Sequence, residues 1–192
     1  KKYINIYISV VFVLMLAVMS ACGKSVDSDS LSEEAQKICG SWAYNHDKET
    51  AVAVFRKDGT AEYEGHDYTF ECDSSFISLT DDEGGVLKLR YKLDDEDMYL
   101  YSYNTYSYSG EGFPVSLVGV WLCPEKNWSY IFTDKGTFME DGYFPGHYSV
   151  DEASSSFKLM YNDHFEDTVC YYSLEGDKLY IEYPWKMVRT GK

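Results

Sequence analysis

The chain carries one pattern twice, and that recurrence limits what it can fold into. Gly40-Ser41-Trp42 opens a stretch that runs through Phe55-Arg56-Lys57-Asp58-Gly59-Thr60 and closes at Tyr91 and Met98-Tyr99. Gly119-Val120-Trp121 opens another, which runs through Phe132-Thr133-Asp134-Lys135-Gly136-Thr137 and closes at Tyr172 and Leu179-Tyr180. Trp42 and Trp121 lie 79 apart, and Phe55 and Phe132 lie 77 apart. The pairs Gly65-His66 and Gly146-His147, Phe76 and Phe157, Tyr91 and Tyr172, and Tyr99 and Tyr180 all lie 81 apart. Offsets that drift only between matched blocks are what surface-loop insertions produce. Solenoid repeats have periods of about 20–50 residues. The longer period here points instead to a duplicated small domain or half-barrel.

Each copy reads as strand. Leu87, Leu89, Tyr91 and Leu93 alternate with Lys88, Arg90 and Lys92, and Tyr68, Phe70 and Cys72 alternate with Thr69 and Glu71. A period of two marks a half-buried strand. Lys57-Asp58-Gly59 and Asp134-Lys135-Gly136 sit between apolar runs as tight turns, with Gly59 and Gly136 supplying positive φ. Asp94 to Asp97 and Glu175 to Lys178 take the same place between later strands. The apolar content is mainly aromatic, with 19 Tyr, 10 Phe and 4 Trp, which suits strands better than helices. The expected fold is therefore all-β: two tandem copies of an antiparallel up-and-down sheet or small barrel, each of five or six short strands. The first copy spans residues 38–102 and the second 119–192, with a Tyr/Gly/Ser connector over 103–118.

Gly-x-Trp at the start of a meandering sheet, an Asp-Gly or Lys-Gly hairpin and a closing Leu-Tyr-Ile strand resemble lipocalin-like domains, which recur in lipoproteins of Gram-positive bacteria, particularly Firmicutes. The resemblance covers residues 38–102 and 119–183. It implies that Trp42 and Trp121 pack across one end of a barrel, and it implies an address more than an activity.

The N-terminus gives that address independently. Lys1 and Lys2 precede an apolar run from Ile4 to Met19, shorter than the roughly 20 apolar residues of a membrane span. A short apolar run ending in small residues reads as an export signal over residues 1–21. Met19-Ser20-Ala21-Cys22 resembles the lipobox of bacterial lipoproteins, whose Cys is diacylated; Cys22 is then the membrane anchor. Residues 22–37 hold the lipidated Cys, a polar tether and a short helix over Leu31 to Lys37, for which Ser30 and Glu33 form a capping box.

Loss of the signal leaves 15 basic and 32 acidic side chains, a formal charge of −17. Phosphate binding needs clustered positive charge, so nucleic acid is excluded as an expected partner. Four further cysteines remain, Cys39, Cys72, Cys123 and Cys170. The last three fall on strand faces as small apolar residues; a Cys39–Cys123 bridge between the copies stays open. Neither Cys-x-x-Cys nor Gly-x-Ser-x-Gly occurs, and the acidic turns lack a calcium-loop register, so no catalytic residue, metal or cofactor is expected. The repeated Gly-His reads as a structural turn.

Tyr101, Tyr103, Tyr106 and Tyr108 crowd the end of the first copy. They form either an aromatic platform for a sugar or peptide, or the covering face of a last strand. Two classes of function follow, and an enzyme comes third, since it would require converging polar side chains that the sequence does not announce. The chain is a lipid-anchored, extracytoplasmic, non-catalytic binding module for a protein or glycan, or it is a carrier of a small hydrophobic molecule inside a barrel. Small barrels are usually filled by their own side chains, which favours the first.

Overall fold

A computed structural model describes residues 31–191. The expected signal segment, Cys22, the tether and the Ser30 cap lie outside the described residues. The chain is all-β and antiparallel, as expected. Among the described residues one short helix, α1 (Glu33–Ile38), precedes fourteen strands. Ser32, not Ser30, caps it, accepting a hydrogen bond from the Ala35 N–H at 3.1 Å.

The first seven strands are β1 (Gly40–Tyr44), β2 (Ala53–Phe55), β3 (Thr60–Tyr63), β4 (His66–Cys72), β5 (Phe76–Thr80), β6 (Val86–Asp94) and β7 (Asp97–Tyr108). The next seven are β8 (Gly119–Cys123), β9 (Trp128–Phe132), β10 (Thr137–Glu140), β11 (Phe144–Asp151), β12 (Ser156–Tyr161), β13 (Thr168–Glu175) and β14 (Lys178–Arg189). Each half is thus a seven-strand meander. The β7 strand continues through Tyr108, so the connector starts at residue 109 and not at 103.

Seven strands do not close either half. Closure comes from exchange. The two longest strands, β7 and β14, pair with each other over ten residue pairs, from Lys178↔Ser107 to Met187↔Met98. The first part of β7 also pairs with β6, and its last part pairs with β8 in the other half. The first part of β14 pairs with β13, and its last part with β1. The pairings therefore form two closed rings of eight strands that share one two-stranded ladder. An offset of 81 carries Ser102 onto Tyr183, its own partner, so the ladder repeats itself about that pair.

Each ring has its own core. The first buries Trp42, Phe55, Phe70, Ile77 and Leu79, and takes Met187 from β14. The second buries Trp121, Tyr130, Phe132, Phe157 and Leu159, and takes Tyr106 from β7. The Gly-x-Trp motifs do the same work in both. Trp42 Nε1 donates to the Ile38 carbonyl at 2.8 Å, and Trp121 Nε1 donates to the Leu117 carbonyl at 2.7 Å. Gly40 and Gly119 hold φ of +137° and +143°, and their bare faces receive the Arg189 guanidinium and the Tyr108 ring. Arg189 then lies over Trp42 at 4.3 Å, and Tyr108 lies against Trp121 at 5.2 Å. In each ring, the residue that lids the tryptophan comes from the strand borrowed from the other half.

The hairpins at Gly59 and Gly136 form as expected, with φ of +82° and +72°. Two of the expected equivalences need correction. Gly65-His66 makes the β3–β4 turn with Gly65 at φ +80°, whereas Gly146-His147 lies inside β11. There Gly146 is required because a Cβ would come within 2.5 Å of the Phe138 ring. Phe157 corresponds to Ile77 and not to Phe76: Phe157 pairs with Cys170 as Ile77 pairs with Leu89. A one-residue slip reverses the face, and Phe76 accordingly points out beneath Lys88 and Arg90. The four remaining cysteines are free thiols; Cys39 packs on the first core and Cys123 in the second.

Candidate functional site

The exchange of strands leaves a gap on β14. The strand β13 stays beside it only as far as the Tyr171↔Glu182 pair, and β1 joins only at Met187. Between them, Tyr183, Pro184 and Lys186 border a groove of about 530 Å³. Its floor and one wall come from the second ring, through Glu140, Phe144, Tyr161 and Phe165, and the other wall from Tyr99, Tyr101 and Pro184 on the shared ladder. The corresponding gap on β7 is bridged instead. Lys126 Nζ reaches the buried Asn104 Oδ1 at 2.6 Å, and Trp185 Nε1 donates to Ser102 Oγ at 2.9 Å.

Glu140 is the chemical centre of the groove. It ends β10, where it pairs with Tyr130 and Phe144, and its side chain turns toward the tyrosines of neighbouring strands. The Tyr130 hydroxyl donates to Oε1 at 2.6 Å, and the Tyr161 hydroxyl donates to Oε2 at 2.5 Å. Burial pushes the Glu140 carboxyl above the ordinary carboxylate range, and the two tyrosine hydroxyls, which favour the anion, offset part of that shift. The same desolvation raises Tyr161 and Tyr183. A half-buried carboxylate held by two tyrosine hydroxyls in a cleft makes Glu140 the candidate centre of a binding site.

No protein-family model, curated protein or solved structure matches the chain. The site must therefore be read from its own geometry.

That geometry divides the four tyrosines expected to form one platform. Tyr101 lines the groove, and burial pushes its hydroxyl up to about 12. Tyr103 stands on the outer face of the ladder, 61% exposed and stacked on Tyr180 at 5.5 Å. Tyr106 and Tyr108 are corrected to structural residues. Tyr106 is buried in the second core 5.4 Å from Tyr130, and Tyr108 packs on Trp121. Their side chains point inward because the second half of β7 is the eighth strand of the second ring.

Sequence reasoning missed Glu140, Phe144, Tyr161 and Phe165. Glu140 is one acid among 32 Asp and Glu residues, and only its position at the end of a strand of apolar neighbours, Phe138 and Met139, hints at burial. Among the described residues no group of His, Cys, Asp and Glu is placed to hold a metal ion, and no helix is long and apolar enough to cross a membrane. The Asp81 carboxylate accepts from the backbone N–H groups of Glu83 and Gly85, as a turn-forming Asp does.

The raised carboxyl gives a pH prediction. Folded Glu140 holds its proton to higher pH than the unfolded chain does, so stability falls as pH rises from the ordinary carboxylate range through the raised value. Glu140→Gln removes this dependence. Urea denaturation of both proteins is expected to show the wild type losing stability relative to Glu140→Gln across that window. A constant difference at every pH would contradict the assignment.

Proposed function

We propose that the chain is an extracytoplasmic lipoprotein, anchored through Cys22, that works as a non-catalytic binding module with its ligand in the groove where the two rings meet. On this reading the two meanders are tandem copies of a lipocalin-like unit in which the ligand site has moved from the barrel interior to the junction. One observation carries it. Both ring interiors are filled by their own side chains: Trp42, Ile77 and Leu79 are fully buried in one, and Trp121, Phe132 and Leu159 in the other. The groove, by contrast, presents Phe144 and Phe165 at 37% and 44% exposure beside a carboxylate. Apolar walls with a few placed polar groups are the usual make-up of a small-molecule site. Side chains buried this deeply in both rings favour the groove over a barrel interior as the place for a ligand.

The test is native mass spectrometry of the non-lipidated chain, residues 23–192, after exposure to envelope extract of its host. A discrete added mass on the wild type that disappears in Phe165→Ala is expected. An adduct that survives Phe165→Ala and Glu140→Gln would move the site elsewhere. Anchoring is tested by Cys22→Ala, which is expected to shift the protein from the membrane fraction to the medium; retention there would overturn the lipobox reading.

A further inference from the structure

Resting on the groove as the binding site, we infer that its ligand is a small organic cation carrying a quaternary ammonium group. Tyr161 stands with its hydroxyl on Glu140, and its ring lies 5.7 Å from Phe165, which in turn meets Phe144 edge-on at 5.4 Å. The carboxylate thus lies at the foot of a continuous aromatic wall. Tyr101 and Pro184 face the same space. The groove also bears Asp94, Glu166 and Asp167 against Lys92 and Lys186. Lys186 is held by Asp97 at 2.8 Å, and Asp167 by Lys158 at 2.6 Å. Acid is therefore in excess, and a bound anion is disfavoured.

The choice within cations follows from acceptors. A primary ammonium brings three N–H donors that need partners once water is removed. At the floor each Glu140 oxygen already accepts a tyrosine hydroxyl. Two of the carboxylate's roughly four acceptor sites are thus taken, which leaves fewer at Glu140 than the three donors of a primary ammonium need. A quaternary ammonium has no N–H to satisfy and is held by charge and by aromatic faces, which this wall supplies.

The test is isothermal titration of the full chain, purified in a non-ionic detergent, with choline, with n-butylammonium and with 3,3-dimethylbutan-1-ol, the uncharged carbon analogue of choline. Saturable choline binding with a Kd of about 1 mM or below is expected. The amine and the alcohol are each expected to bind at least about tenfold more weakly. Glu140→Gln is expected to weaken choline about tenfold by removing the floor charge. Phe165→Ala, which leaves that charge in place, is expected to weaken it at least about tenfold. Equal affinity for the alcohol, tighter binding of the amine, or no saturable choline binding would overturn the inference. If choline fails while the envelope adduct forms and is lost in Phe165→Ala, the groove stands and only its ligand class falls. If no adduct forms on any protein, the groove reading falls with it.

Discussion

Residues 31–110 and 111–191, made as separate polypeptides, are expected to be unfolded alone and to fold when mixed. Each fragment carries seven strands of an eight-strand ring. Without its partner the first lacks β14, and with it Met187 in the core and Arg189 over Trp42. The second lacks β7, and with it Tyr106 in the core and Tyr108 on Trp121. Both lose the ten-pair ladder and expose two unpaired strand edges. A domain is stable by only about 5–15 kcal/mol, and losing a core strand removes more than that. The mixed fragments are expected to regain near-ultraviolet circular dichroism and a cooperative melt. Cooperative unfolding of either fragment alone would show that a ring closes without the borrowed strand.

Gly119→Ala is expected to cost about 2–5 kcal/mol, one of the largest effects of any single methyl group in this chain. Two causes combine. At φ +143° an L residue is strained, and an ideal Cβ would stand 2.4 Å from the Tyr108 ring. That ring cannot swing away, because it packs on Trp121 and also faces Gly110, where a Cβ would approach it to 2.5 Å. Gly40→Ala is expected to cost less. The atom it meets is the Arg189 guanidinium, at the far end of a flexible side chain. Gly142 is the control: it has φ +74° and no neighbour within 4 Å, so Gly142→Ala carries only backbone strain of about 1 kcal/mol. Urea denaturation of the three variants measures the order. A Gly119→Ala no worse than Gly142→Ala would mean that Tyr108 does not lie over the second ring's tryptophan.

Local pattern was legible in the sequence, and partnership was not. Alternation around Leu89 and Tyr91, the Gly59 and Gly136 turns and the Gly-x-Trp openings are set by neighbours two to five residues away, so the sequence shows them. Which strand pairs with the far half of β7 is decided by residues in β8 and β14, about 14 and 80 positions on. No local signal marks the middle of a twelve-residue strand as a point of exchange. For that reason Tyr106 reads as connector in the sequence and as core in the fold. Aligning the halves by the best residue matches also misplaced Phe76, since two adjacent apolar residues, Phe76 and Ile77, compete for one equivalence. Glu140 was illegible for a different reason. Its environment is assembled from Tyr130 and Tyr161 on two other strands and from the opening beside β14. The groove is a product of the exchange and has no counterpart in either half alone.

The shared ladder is therefore the feature on which fold and site both depend, and native-state hydrogen exchange tests it most directly. The amides of β7 and β14 that pair across the ladder are expected to be the slowest in the chain, and those of both rings to open with them at one free energy. Two separate opening energies, with one ring exchanging fully while the ladder and the other ring stay protected, would contradict a fold in which each ring is closed by the other half's strand.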